Sequence, residues 1–406
     1  MTDRGRRAGA VLGVLAAVLL TGLAGLPAPA AFAGAAAGSG TAAARADVGG
    51  TQLARTGVVV HYPARGARRL PRIPAKAYVI ADAGTGQVLA AKDAHGVFPP
   101  ASTLKVLTAI TLIPRLNPAV MVKTTRLATS VVPNVVGLIR GRRYRVSDLF
   151  RALLLISAND AAVALAQAAG SYSRGMALIN AEAHHLQAYD VVAKDPNGLP
   201  AGGQHVSAYD LALIGRQALK IPAFLKYDET LAARFPVRPR HKVTLVNQNT
   251  LLTSYRGGIG GKIGWTEEAQ ATYLGLARRH GVTLIVALLH CTPLEEITSG
   301  EKLLTWGFAM DGKVTPVGTL VPPLTAAASR PRRPGGSGGP ARAGAGGGSA
   351  GANAARRRGA GQVAEVRPAP AGLPAIAVAV AVLLIAAVLA GTGWAMRLSR
   401  RQRPAA

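Results

Sequence analysis

The sequence predicts an α+β fold, an antiparallel sheet with helices packed on it. Three features point there. A segment of period-two hydrophobicity near residue 80 reads as a β-hairpin. A series of amphipathic helical segments fills the middle of the chain. A meander of strands and one closing helix follow in the last third of the globular part.

Each element has a local reason. The stretch "AYVIADAGTGQVLAAKD", residues 77–93, alternates about a turn at Gly84 and Gly86. "ASTLKVLTAITLI" reads as a helix that Pro114 stops. "SDLFRALLLIS" predicts a helix with Ser147 at the N-cap and Leu149, Leu153 and Ile156 on one stripe. "NDAAVALAQAAG" and "SRGMALINAEAHHLQA" predict two more. "SAYDLALIGRQALK" opens on a Ser207/Asp210 capping box and ends before Pro222. Strands are expected at "KVTLVN", "GKIGW", "ATYLGLAR" and "VTLIVALL", the last two joined through "RHG". "LEEITSGEKLLTWGFAM" closes the unit as a helix.

The 406-residue chain carries a net charge of +28, and most of it sits at the ends. Residues 1–75 hold nine arginines against Asp3 and Asp47. Residues 329–406 hold twelve against Glu365. Aromatics make up only 4% of the chain, too few for the stacking platforms of a nucleic-acid binder, so no nucleic-acid partner is expected. The basic excess reads instead as solvated linkers and membrane flanks.

Residues 1–33 read as a secretory signal peptide: Arg4, Arg6 and Arg7, an apolar stretch, then "AFA" at Ala31–Ala33 as the cleavage site. Residues 34–72 read as a linker with a short strand at "GVVVHY". Residues 73–326 form the globular unit. Residues 327–371 are a Gly/Pro/Arg-rich linker too poor in apolar residues to bury a core. Residues 372–396 read as a transmembrane helix: 24 of them, Leu373 to Met396, carry no charge. That length gives ~36 Å of helix, against ~30 Å of hydrocarbon. Residues 397–406, with four arginines, would be a cytoplasmic tail. Signal and helix together predict a single-pass membrane protein with the globular unit on the extracytoplasmic face. Cys291 is the single cysteine, which excludes an internal disulfide and a zinc-cysteine cluster, and it reads as a buried thiol.

Three short motifs carry chemistry. Ser102 and Lys105 in "PPASTLKVLTA" stand at i and i+3, on one helical face. A desolvated lysine loses basicity and can accept the serine proton, and the serine's own amide at a helix start is free to stabilise an oxyanion. Alone this spacing is common, and Ser299/Lys302 repeats it. Ser157 and Asn159 in "LLISANDAA" lie between two helical runs, where a hydroxyl and an amide can relay a proton and hold a substrate amide; taken alone, they read as N-caps. Lys262-Ile263-Gly264 offers a positive charge and a close backbone approach. A phosphate-binding loop is excluded there, because Arg256 stands where its first glycine should be and Ile263 has no hydroxyl for magnesium.

The order Ser-x-x-Lys, Ser-x-Asn, Lys-x-Gly is that of penicillin-binding proteins and β-lactamases. With "AKAYVIADAGTGQVLAAKD", "PASTLKVLTA", "LLLISANDAA" and "EKLLTWGF", residues 73–312 resemble the D-alanyl-D-alanine carboxypeptidase family of low-molecular-mass penicillin-binding proteins. The resemblance implies the penicillin-binding protein/β-lactamase-like fold of the DD-peptidases and a serine hydrolase of peptidoglycan stem peptides, inhibited by β-lactams, with no metal or cofactor. It implies Ser102 as nucleophile and Lys105 as general base. Ser157 and Asn159 would relay the proton and orient the acyl amide. Lys262 and Gly264 would serve substrate binding, and the amide of Trp265 would join that of Ser102 in the oxyanion hole.

Two departures stand out. The family's usual threonine between the lysine and the glycine, whose hydroxyl touches the substrate carboxylate, is Ile263. The arginine that some members carry before the terminal helix is absent, and Glu295 and Glu296 stand in that stretch. The family's extra C-terminal β-domain is also missing from the expected architecture. These departures leave a second expectation open, a penicillin-binding-like protein that holds wall peptide or a partner without hydrolysis. A β-lactamase would need a further base for the deacylating water, and the sequence identifies none.

Overall fold

A computed structural model describes residues 48–325. The expected signal peptide, the second linker, the membrane helix and the basic tail lie outside the described residues. Among the described residues no helix is long and apolar enough to cross a membrane.

One antiparallel sheet organises the unit. Its strands are β1 (Val58–Val59), β2 (Ala75–Asp82), β3 (Gln87–Lys92), β6 (Gly258–Thr266), β7 (Gln270–Arg279), β8 (Val282–Cys291) and β9 (Gly318–Thr319); β4 (Ala232–Arg238) and β5 (His241–Val246) form a separate hairpin. The order across the sheet is β1-β3-β2-β8-β7-β6, with β9 also beside β3. The β2–β3 hairpin falls where the alternation predicts. Asp82 closes its turn by accepting the Gly84 amide at 2.8 Å, and Gly86 takes the positive φ of 82° that the turn needs. Strand β6 ends the series and leaves one edge open.

Both faces of the sheet are buried, and strand alternation decides which side chain goes where. Ala77, Val79 and Ala81 of β2 face one core; Tyr78 and Ile80 face the other. The first core is shared with α1 (Leu104–Leu112), α2 (Val146–Leu155), α3 (Asn159–Ala168), α4 (Tyr172–His185), α5 (Ala208–Ala218) and α6 (Pro222–Asp228). The second lies under α7 (Glu296–Met310), which contributes Leu303, Leu304, Trp306 and Met310. Every residue of α1 is buried, polar Lys105, Thr108 and Thr111 included, so this helix runs through the protein's interior.

Three local expectations change. Residues 48–72 pack on the unit and are not a free linker, although the short strand expected at "GVVVHY" does form: Leu53 is 1% exposed, β1 pairs with β3 through Val58–Lys92 and Val59–Ala91, and His61 bridges Thr315. The apolar residues here are too sparse to show a period, and their burial depends on partners distant in sequence. Helix α2 begins at Val146, with Arg145 at the cap, so Ser147 lies inside the first turn and does not cap. Helix α4 begins at Tyr172, where Ser171 accepts the Arg174 amide at 3.1 Å as its true N-cap. The Ser207 cap of α5 does form, its Oγ accepting the Asp210 amide at 3.1 Å.

Helix α7 reaches the sheet closely because two glycines face it. A Cβ on Gly300 would meet the Tyr273 ring at 2.6 Å, and one on Gly307 would meet Ile80 Cδ1 at 2.4 Å. Gly307→Val is therefore expected to overpack this interface and cost about 1–3 kcal/mol, although valine has the better helix propensity. Urea unfolding of the variant beside the wild type checks this; an equal or higher midpoint would contradict it.

Candidate active site

The helix α1 lysine sets the site. Residues Ala101–Thr103 form a 3₁₀ turn that runs into α1, so Ser102 stands at the helix mouth and Lys105 one turn in. Lys105 is fully buried, and its Nζ donates to Ser102 Oγ at 2.8 Å and to the Asn197 carbonyl at 2.9 Å. Burial drives the Lys105 ammonium well below its ordinary range, and the neighbouring charge of Lys262 pushes the same way; Asp195 opposes both. Ala101, just before the nucleophile, holds a φ of 46°, a strained value for a residue with a Cβ. Pro100 and its contacts hold it there: the Thr103 and Thr272 hydroxyls both donate to the Pro100 carbonyl, at 2.6 and 2.9 Å.

The second motif lies across the cleft. Ser157 follows α2 with a φ of 61°, is 5% exposed, and its Oγ has no hydrogen-bond partner. Asn159 opens α3; its Nδ2 donates to the Val132 carbonyl at 2.9 Å while its Oδ1 is buried and unpartnered. Ala158 holds the N-cap position without a side-chain cap, so the capping alternative for Ser157 and Asn159 does not hold. Asp160 has a different task. Its carboxylate accepts the amides of Val136, Gly137 and Leu138 at 2.9–3.0 Å and thereby fastens the 132–138 loop along the cleft.

The third motif sits on edge strand β6. Gly264 faces the nucleophile: a Cβ there would come within 2.6 Å of the Ser102 amide nitrogen and 2.5 Å of Thr272 Oγ1. Only glycine permits that approach. Lys262 is 2% exposed, and its Nζ donates to the Ile263 carbonyl at 2.7 Å. Burial lowers it to about 8, against the pull of Asp228. Asp228 accepts the Gly261 amide at 2.6 Å and is pushed up to about 7, chiefly by its own burial. Trp265 is 61% exposed, at the rim.

Ser102, Ser157, Asn159, Ile263, Gly264 and Trp265 all line one cleft of about 200 Å³, and Lys105 and Lys262 stand buried behind it. Asn134, Gln248 and Glu296 also line it. A groove of about 460 Å³ at Arg68, Tyr255 and Trp306 holds no such constellation. The repeated spacing Ser299/Lys302 is not a second site: Ser299 is buried beside Cys291, its Oγ 3.8 Å from the Sγ, and Lys302 points to solvent. The Cys291 thiol, pushed up to about 11 by burial, is structural. Among the described residues no cluster of three or more His, Cys, Asp or Glu side chains could hold a metal ion.

Sequence reasoning missed the Asn197 carbonyl, Thr272, Asn134 and Gln248. Asn134 and Gln248 line the cleft, the Asn197 carbonyl accepts from Lys105, and Thr272 braces the Pro100 carbonyl; none belongs to a local pattern.

Comparison with known proteins agrees with this geometry. The family model of the D-alanyl-D-alanine carboxypeptidases matches residues 65–292. The carboxypeptidase DacB2 of Mycobacterium tuberculosis is 36% identical over 261 residues, which cover 63% of this chain and 89% of that protein. DacF of Bacillus subtilis is 28% identical, and the match covers 58% of this chain and 62% of its own length. Among solved structures, a D-alanyl-D-alanine carboxypeptidase of M. tuberculosis superposes with a TM-score of 0.60 at 36% identity, covering 64% of this chain and 99% of that one. A mutant of the Streptomyces K15 DD-transpeptidase superposes with a TM-score of 0.56 at 27% identity, covering 59% and 99%. The fold is that of the penicillin-binding DD-peptidases, and the chain belongs to the D-alanyl-D-alanine carboxypeptidase family of serine peptidases.

Proposed function

We propose that this chain removes the terminal D-alanine from peptidoglycan stem peptides through an acyl-enzyme on Ser102. The observation that carries the reading is the 2.8 Å bond from a buried, charge-disfavoured Lys105 to the Ser102 hydroxyl. The chemistry follows from it. Neutral Lys105 takes the proton as Ser102 Oγ attacks the carbonyl carbon of the penultimate D-alanine. A C–O bond forms, and the oxyanion is held by the amides of Ser102 and Trp265. The C–N bond then breaks as the proton, passed from Lys105 by way of the Ser157 hydroxyl, reaches the departing amine. Water repeats the sequence on the ester and frees Ser102. Asn159, with its unpartnered Oδ1, accepts an N–H of the acyl donor. β-Lactams enter by the same acylation step.

The non-hydrolytic alternative is not favoured, because nucleophile and base stand in direct hydrogen-bond contact and the replacement at Ile263 leaves both in place. Its loss of a hydroxyl removes about one hydrogen bond to a charged group, ~1.5–3 kcal/mol, or roughly 10- to 150-fold. The signal-like start and the apolar segment at 372–396 support anchoring in the cell membrane with the cleft on the extracytoplasmic face.

The direct test incubates the purified full chain with a fluorescent penicillin and with a pentapeptide stem, beside Ser102→Ala. Labelling and D-alanine release that both require Ser102 are expected; labelling without release would favour the binding alternative. Ile263→Thr is expected to raise kcat/KM for the pentapeptide by roughly 10- to 150-fold. Gly264→Ala pushes a methyl against the Ser102 amide and is expected to slow acylation by about 10²- to 10³-fold, as loss of an oxyanion donor does. The pH profile of kcat/KM is expected to rise on the acid side as Lys105 loses its proton and to fall near pH 8 as Lys262 loses its own. Lys262→Arg should remove the alkaline limb and keep the acid one; a profile that keeps both would reassign that limb.

A further inference from the structure

Two turns at one corner of the molecule gather positive charge with nothing to balance it. Met121–Lys123 and Arg143–Arg145 pair as a short antiparallel ribbon, and a turn closes beside it at Ile139–Arg142, where the Arg142 amide donates to the Ile139 carbonyl at 3.1 Å. The β4–β5 hairpin turns between Arg238 and His241. Both turns meet at the Tyr144 hydroxyl, which accepts the Ile139 amide at 3.0 Å and donates to the Val237 carbonyl at 3.1 Å. The Tyr144 ring also stacks on Phe235 of the hairpin, centroids 5.5 Å apart. The first turn carries Arg140, Arg142 and Arg143, and the second carries Arg238, Arg240 and Lys242. Neither the ribbon nor the hairpin contains an aspartate or glutamate, and among the described residues none of these cations is in an ion pair. All are exposed except Arg142, which lies half-buried over the Tyr144 ring.

Exposed aliphatic side chains accompany these cations. The 132–138 loop leads into the first turn. Val136 and Leu138 are buried, whereas Val132, Val135 and Ile139 are exposed. Asp160 holds the amides of Val136, Gly137 and Leu138, so the loop cannot rotate to bury the other three. Exposed apolar side chains grouped in this way mark a contact surface. Arginines with aliphatic side chains among them suit the surface of an anionic bilayer: the cations meet headgroup phosphates, and the apolar groups enter the acyl boundary. A soluble polyanion would use the cations and leave the aliphatics in water. Tyr144 and Phe235 are buried, so neither ring is offered for stacking on a base or a sugar.

We infer that the paired turns, with the exposed side of the 132–138 loop, dock on a membrane surface of anionic phospholipid. The inference goes beyond the acyl-enzyme at Ser102 and does not depend on it. The apolar segment at 372–396, proposed above as an anchor, would bring a bilayer within reach of this surface. Pro133 and Asn134 of the same loop line the cleft. Docking here holds the mouth of the cleft close to the headgroups, which favours stem peptides presented at the membrane surface over those deeper in the wall.

The test uses the full chain with an environment-sensitive fluorophore on His241→Cys, in the second turn, or on Lys302→Cys, on α7 across the sheet; Cys291 is buried and stays unlabelled. Each protein is mixed with vesicles of phosphatidylcholine, with vesicles that also contain phosphatidylglycerol, and with soluble polyphosphate. The label at 241 is expected to shift to the blue on the anionic vesicles and not on the neutral ones, and the label at 302 on neither. Combining Arg140→Glu, Arg238→Glu and Arg240→Glu should raise the lipid concentration at half-shift by about 10²-fold, roughly fivefold for each cation. Val135→Ser with Ile139→Ser should raise it by about tenfold, through lost apolar burial, and leave any response to polyphosphate unchanged. All these positions are at the surface, so urea midpoints equal to wild type are expected and show that the fold is kept. No shift on anionic vesicles, or an equal shift of both labels, overturns the inference. Vesicle binding that ignores Val135 and Ile139 while polyphosphate gives the same shift makes this a polyanion surface and overturns it too. Flotation with the neutral vesicles reports the 372–396 anchor separately.

Discussion

Everything at this site depends on burying Lys105 without a counter-ion in contact. A lysine amine taken out of water gives up its proton far more readily, and that is what turns an ordinary ammonium into a base for serine. The fold achieves this with a helix that is buried on every side, so the amine has nowhere to extend except toward Ser102 and the Asn197 carbonyl. That carbonyl is itself held in place. Asp195 accepts the amides of Asn197 and Gly198 at 2.9 and 2.7 Å. Gly198 lies so close to Ala101 that a Cβ would come within 1.7 Å of its carbonyl oxygen. The same loop therefore fixes the lysine's second acceptor and presses on the strained residue before the nucleophile.

The two walls of the cleft are built by different means. One is a loop region, where the 132–138 segment and the residues after α2 would be free to move without Asp160 collecting three amides on its carboxylate. The other is a sheet edge, where β7 holds β6 by its ladder and Asp228 adds a bond to the Gly261 amide. A rigid edge strand facing a tethered loop lets an extended peptide lie between them, with hydrogen-bond partners on both sides. Positive-φ residues mark the joints: Ala101 before the nucleophile and Ser157 in the second motif. Strain is concentrated where the reacting groups must converge.

Much of this was legible in the sequence, for a physical reason. Periodicity reports burial on one face, so the β2–β3 hairpin, the helices and the β7–β8 meander could be read from alternation and stripe. The three motifs were legible as chemistry because each is local: Ser102 and Lys105 share a helical face by spacing alone. What stayed hidden is long-range. The Pro100 carbonyl meets Thr272 across 172 residues of chain. Nothing around Asn197 signals that its backbone oxygen, and not its side chain, supports the base. Residues 48–72 read as linker because a single Leu53 carries no period, yet it is buried. Ser147 was two residues off as a cap, since the helix enters directly from the short strand Arg143–Arg145.

The site also sets how stability depends on pH. Lys105 and Lys262 are less basic folded than unfolded, so in each case the unfolded chain binds more protons between the two values. Stability from these groups is complete only above the ordinary lysine range and is lost as pH falls, through about 8 for Lys262. Asp228 runs the other way. Its folded value is raised to about 7, so its contribution is whole below the ordinary aspartate range and is lost as pH rises through 7. Near neutrality all three groups are in states that cost the fold. Each could be removed by an apolar replacement that suits the core better, as buried ionic groups often can. Their presence there is consistent with a cleft arranged for proton transfer at the expense of the folded state, the trade that active sites generally make.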